Sequence, residues 1–427
     1  MKQIITVPTI LGGVKMYQEK SFCIFSEIGR LKQVMLHRPG IELDRLTTEN
    51  KDELLFDDLV WLEAAQKEHD EFASILRREG CEVLYFQECV ADVIENKEVR
   101  RSLLKEVFNL ECVDKLLADA LTEHFMELPA KDLAGHLIGG YSKDEAAKIF
   151  KTSLSLVSLV TNGTEFIIHP IPNLYFQRDP AMTVSNYVVL GQMSFEARRR
   201  EPLYWKYIVK NHPRFSQMGI LFGDEPGDGW PNKVEGGDFL VLSDKVLALG
   251  VGQRTNPATA QRIGSRLARL TSIKRVLAFE IPKERYCMHL DTVFTMLDKD
   301  KFTIYPPLLK TLKVWQLDYN DDGELLSLVQ ASDWQSVLAD SLGVDKVKIL
   351  EMSGKDDAET IREQWHDGCN TLAVAPGKVV TYNRNTNANR MLRENGIEVL
   401  ELAGPELGRG RGGPRCMSMP LNREPVK

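Results

Sequence analysis

At 427 residues and 48.4 kDa, the chain is long enough for one large core carrying an inserted lobe, or for two domains, and its 43% hydrophobic and 27% charged residues describe an ordered globular protein. A net charge of −7 with a sequence pI near 5.8 leaves no basic footprint for a polyanion. No apolar run approaches the roughly 20 residues that span a bilayer, so neither nucleic acid nor membrane is an expected partner.

The chain opens with Lys2 and an apolar run from Ile4 to Val14 that faintly resembles a secretory leader, but Pro8, Gly12 and Gly13 interrupt it and no small-residue cleavage site follows. Residues 1–22 are therefore expected to be a non-secretory N-terminal extension, and residues 23–427 one α/β domain. The seven cysteines are odd in number and scattered, with no metal-like pairing. Reduced thiols and a cytoplasmic location follow as expectations.

From there one pattern recurs: an amphipathic helical stretch, a polar or Gly break, then a short apolar strand. It spans 74–86, 211–225, 269–282, 340–352 and 390–402. Before several of these helices lie two further strand-like runs, as in 239–252 with a turn at Ser243–Asp244 and 370–384 with a turn at Pro376–Gly377. The repeating unit is ββαβ. One such unit cannot bury its own core, so five copies predict a closed, propeller-like α/β arrangement, with an ordinary open sheet as its competitor. Between the first two units, about 90–160 breaks the rhythm with helical periodicity, which predicts a helical insertion. Asp144 and Glu145 follow Ser142 near a helix start and suit capping rather than chemistry.

Four polar clusters fall beside predicted strands, where a rigid scaffold presents side chains to a cleft: 173–180, 235–238, 288–292 and 408–420. A lone Cys416 reads as a small buried hydrophobe. Arg409, Arg411 and Arg415 nearby would instead favour its thiolate and make it a nucleophile. Period-2 alternation along a strand puts His289 and Asp291 on one face, where the imidazole can act as general acid or base. Zinc held by His289, Asp291, Glu235 and Asp238 is the rival, weakened because only one histidine stands among these four clusters and a metal would take the thiolate as a ligand. Asp179 and Asp291 facing one pocket would repel unless a cation lay between them, and a guanidinium fork fits two carboxylates. Arg198 and Arg254 could then hold a carboxylate at the far end of the ligand, although 198–200 alone would pass for a solvated charge run.

Together these segments resemble the arginine deiminase family of the guanidino-group modifying, or pentein, superfamily. The resemblance starts at 26–40 (SEIGRLKQVMLHRPG) and takes in 52–58 (DELLFDD), 173–180 (NLYFQRDP), 235–238 (EGGD) and 288–294 (MHLDTVF). It ends at 407–421 (LGRGRGGPRCMSMPL), so it covers nearly the whole chain. It implies a five-bladed, pseudo-fivefold α/β propeller with a helical insertion, and hydrolysis of free L-arginine to citrulline and ammonia without metal or cofactor, in a homo-oligomer. By resemblance Cys416 is the nucleophile, His289 the general acid/base, Asp179 and Asp291 the guanidinium clamp, and Glu235 the support of the histidine. Asn173, Arg198, Arg254 and Arg411 match positions that bind the substrate's far end, and Asp238 either touches ligand or serves a structural role. Gln177 departs from the family's Thr, a departure that leaves the rest of the resemblance intact. An amidinotransferase, another deiminase, or an inactive arginine-binding protein would share much of this set.

Overall fold

The computed structural model describes residues 22–149 and 166–426. Residues 1–21 of the expected extension, and most of the helical period read at 143–160, lie outside the described residues. What is described is a mixed α/β fold in which five sheets repeat one strand pattern: the first strand pairs antiparallel with the second, and the second parallel with the third.

In chain order of their central strands, these sheets are Met419–Arg423, Leu31–Leu36 and Glu82–Tyr85; Ala181–Val184, Tyr187–Leu190 and Gly219–Phe222; and Phe239–Val241, Val246–Val251 and Arg275–Glu280. The remaining two are Phe294–Met296, Lys301–Ile304 and Lys348–Glu351, then Leu372–Ala375, Lys378–Tyr382 and Glu398–Leu402. A helix joins the second strand to the third in every case: Leu62–Arg78, Glu201–Asn211, Pro257–Leu270, Trp334–Leu342 and Thr386–Glu394. The parallel pairing requires such a crossover, because a tight hairpin can join only antiparallel strands. Each of the five repeats read from the sequence contains the end of one of these helices or the strand after it. The third sheet gains a hairpin, Lys313–Tyr319 with Leu325–Gln330 at its edge.

Two features show why these residues take these forms. Val246–Val251 is nearly continuous in apolar side chains and buried along its length, as a strand covered on both faces must be. The helix Pro257–Leu270 beside it starts on an Asn256 side chain that accepts from the Thr259 N–H, with Pro257 in the first turn where its missing N–H costs nothing. Its Ile263 and Leu267 then pack with the strand residues Leu247 and Leu249.

Between the first two sheets, helices Phe86–Ile94, Lys97–Leu110, Lys115–Glu127, Ala130–Gly139 and Lys143–Ile149 follow one another. Ser142 and Glu145 form a capping box: the Ser142 N–H donates to the Glu145 carboxylate at 2.7 Å, and the Glu145 N–H donates to the Ser142 hydroxyl at 3.2 Å.

One expectation is corrected. His289 and Asp291 do not share a strand face, because Leu290–Thr292 is a 3-10 turn and the strand begins only at Phe294. Polar side chains take the backbone groups there: Asp238 accepts from the Leu290 N–H at 2.8 Å, and the Thr292 hydroxyl donates to the His289 carbonyl at 2.7 Å.

Candidate active site

Each of the five sheets is preceded, within a few residues of its first strand, by a buried polar residue: Asp179, Asp238, Asp291, Asn370 and Cys416. Hydrogen bonds link these five turns in a closed ring. Gly237 N donates to Asp179 Oδ1 (3.1 Å), Leu290 N to Asp238 Oδ1 (2.8 Å), Asn370 Nδ2 to the Asp291 carbonyl (3.3 Å), Cys416 N to Asn370 Oδ1 (3.1 Å), and Arg178 N to the Cys416 carbonyl (3.0 Å). Side chains from distant parts of the sequence therefore meet at one point.

The Cys416 thiol lies 3.6 Å from Asp291 Oδ2 and receives the Asn370 amide at 3.1 Å. Burial pushes its pKa well up, and Asp291, Asp179 and Asp367 push it further; Arg415 acts in the opposite sense. This corrects the expectation that three arginines favour the thiolate. Arg409 is paired with Asp58 and Glu406 near the surface, Arg411 lies against Trp365, and Arg415 donates to Glu27 and Asp291. Burial and the three carboxylates thus favour the thiol over the thiolate. Asp291 Oδ1, by contrast, is buried without a protein partner, an acceptor left open beside the sulfur.

His289 is 1% exposed, with Nε2 2.9 Å from Glu235 Oε2 and Nδ1 3.8 Å from Asp179 Oδ1. Burial alone would lower its pKa; Asp179, the Glu235 hydrogen bond and Asp238 outweigh that and raise it to about 9. Glu235 is held low despite burial by Arg254 and His289. Asp179, Glu235 and His289 lie close enough to share a cation. Yet Asp179 already takes Arg198 Nη1 at 2.7 Å, and Glu235 takes Arg254 Nη1 at 2.9 Å, so guanidiniums supply the counter-charge a metal would otherwise bring.

Those two pairs revise the reading of the arginines. Arg198 is fully engaged by Asp179 and Glu201. Arg254 bonds Glu235 and stacks on Phe195 at 4.5 Å, which leaves its Nε buried without a partner. Arg411 sits 3.3 Å over the Trp365 ring with Nε and Nη1 unpartnered, on a backbone with φ of 63°. Asn173 donates to the Leu54 carbonyl at 2.7 Å. Asp238 has both oxygens taken, by Thr255 Oγ1 at 2.7 Å and Leu290 N at 2.8 Å, so its contacts are those of a structural residue. Gln177 turns to Trp205 and the Leu174 carbonyl, clear of the site.

The sequence reading did not single out Asn370, which lies in no motif, or Glu27, which lies in the 26–40 segment without a role assigned to it. A signal for Asn370 existed: it precedes the strand Leu372–Ala375 as the other four residues precede theirs.

Comparison with known proteins decides the family. The family model described as arginine deiminase matches residues 52–423. The chain belongs to the arginine deiminase family. It is 43% identical over 406 residues to the arginine deiminase of Streptococcus sanguinis, covering 94% of this chain and 98% of that one. It is likewise 43% identical over 413 residues to that of Streptococcus agalactiae, covering 96% of this chain and all of the relative. Among solved structures, an amidinotransferase from Microseira wollei is similar at TM-score 0.53 and 12% identity, covering 95% of this chain and 98% of that one, a likeness of fold alone. Among the described residues of this arginine deiminase family member, no helix is long and apolar enough to cross a membrane.

Proposed function

We propose that the chain hydrolyses the guanidinium group of free L-arginine to L-citrulline and ammonia, with Cys416 as the nucleophile. The observation that carries this reading is a buried thiol 3.6 Å from Asp291, whose other oxygen has no partner, with the cationic His289 held by Asp179 and Glu235. Family membership supports the same chemistry.

In this reading Asp179 and Asp291 clamp the guanidinium, and its charge offsets the carboxylates that keep the Cys416 proton in place. The thiol gives that proton to solvent and sulfur attacks the guanidinium carbon. His289, protonated at neutral pH, transfers its proton to the departing nitrogen, and ammonia leaves a thiouronium on sulfur. The neutral imidazole then takes a proton from water as its oxygen adds to the same carbon, and when that adduct collapses citrulline departs and the adduct's hydroxyl proton returns to sulfur, restoring the thiol. Glu235 keeps His289 oriented and charged. Arg254 and Arg411, with open N–H groups, receive the substrate carboxylate, Asn173 lies towards the same end, and Arg198 acts through Asp179.

The repeated sheets and the ring of five turns support a five-bladed, pseudo-fivefold propeller over residues 23–427, with the helices after Phe86 as its insertion. The lack of disulfides among the described residues supports a cytoplasmic setting. The uncharged edge strand Leu325–Gln330, with Leu326 66% exposed, supports a homo-oligomer. Citrulline and ammonia released from L-arginine, with agmatine as comparator and no added amine, test the activity. Cys416→Ala should abolish it; normal turnover in that variant would exclude covalent catalysis at this residue. Tight arginine binding with no turnover in the unaltered protein would favour an inactive binding protein instead.

A further inference from the structure

Behind the Cys416 turn, three buried guanidiniums, those of Arg178, Arg415 and Arg423, surround one carboxylate, that of Glu27. Arg415 is matched: it donates to Glu27 at 3.1 Å and to Asp291 at 2.7 Å. Arg178 and Arg423 have no carboxylate within ion-pair distance among the described residues. Arg178 has only long contacts, 3.3 Å to the Arg415 carbonyl and 3.5 Å to the Ser418 hydroxyl. Arg423 donates Nη1 to the Gly29 carbonyl at 2.7 Å, while its Nη2 is buried with no partner.

Arg100 gives the contrast. It is equally buried and also lacks a carboxylate, but it donates to the carbonyls of Ile94, Met126 and Leu128 at 2.7, 3.1 and 2.8 Å. Burying a cation is costly unless it is paired and hydrogen-bonded, and Arg178 and Arg423 lack what Arg100 has. Burial and the neighbouring guanidiniums push Arg178 down to about 9 and Arg423 down to about 10.

Both arginines line an enclosed cavity of about 10 Å³, together with Glu27 and Thr183. That is room for one water or one small ion. The Thr183 hydroxyl makes do with the Met419 sulfur, a weak acceptor, at 3.5 Å. Glu27 faces the cavity too, but its oxygens already accept from Arg415 and the Val241 N–H. We propose that this cavity binds a small monovalent inorganic anion of the halide class, held between Arg178 and Arg423. The anion supplies the missing counter-charge. It sits one residue-layer behind Asp291, linked through Arg415.

An ion bound only by the folded chain raises its melting temperature with the logarithm of its concentration once that exceeds the dissociation constant. At constant ionic strength, replacing gluconate by chloride up to about 200 mM should raise Tm by roughly 2 °C, with the rise following the logarithm of chloride concentration. Arg423→Met should lose that increment. In crystals of the unaltered chain grown in bromide, an anomalous peak should stand between Arg178 and Arg423, a result that does not depend on the variant folding. Water density with no bromine signal, together with equal Tm in chloride and gluconate, would overturn the proposal.

Discussion

Asn370 holds Cys416 at two points, its carbonyl taking the cysteine N–H and its amide reaching the sulfur, so it fixes both the direction and the solvation of the thiol. Asn370→Ala should lower kcat by about 10- to 100-fold, the scale of one lost hydrogen bond to a developing charge, with little change in KM. Asn370→Asp keeps the shape but sets a carboxylate against sulfur, so alkylation by iodoacetamide should shift to higher pH; unchanged alkylation in both variants would remove Asn370 from this role. His289 carries the second prediction. Its pKa of about 9 lies above its ordinary 6.5, so the imidazolium stabilises the fold fully below 6.5, and that contribution fades as pH rises through 9. Activity that needs the imidazolium should fall over the same interval, and Glu235→Gln should move this basic limb of kcat to lower pH. Cys416, His289 and the two aspartates were legible because each stands in a motif. Asn370 stands in none, and Glu27, though within the 26–40 segment, has nothing local to mark its role; they reach the sulfur and Arg415 across 46 and 388 residues of sequence.

The repeated ββαβ unit was legible at the scale of elements, because helix and strand periods alternate cleanly and the turns at Ser243–Asp244 and Pro376–Gly377 lie between the strands they were read to join. The turn at His289–Asp291 was not, because an apolar–polar alternation cannot reveal that Asp238, 52 residues away, captures the Leu290 N–H. Helix ends are local and can be tested locally. Asn256→Ala removes the cap of Pro257–Leu270 and should lower unfolding free energy by about 1 kcal/mol in urea titration, leaving kcat unchanged. A loss below a tenth of that would mean Pro257 alone sets the helix start.

For the molecule as a whole, Met419–Arg423 supplies the first strand of the sheet whose other strands come from the N-terminal region. Deleting residues from 419 onward should leave Leu31–Leu36 with an unpaired edge and yield aggregated or rapidly proteolysed protein; a folded, monodisperse product by circular dichroism and size exclusion would show that the pairing is dispensable. The same strand has a meaning in time. During synthesis the segment at 31–36 leaves the ribosome early and must wait for nearly 390 further residues before its neighbour exists. Cys416 emerges just ahead of that neighbour, so the proposed nucleophile is put in place only when this strand has been made. A chain terminated before residue 416 lacks both that seal and the proposed nucleophile, so in this reading it could not begin consuming arginine.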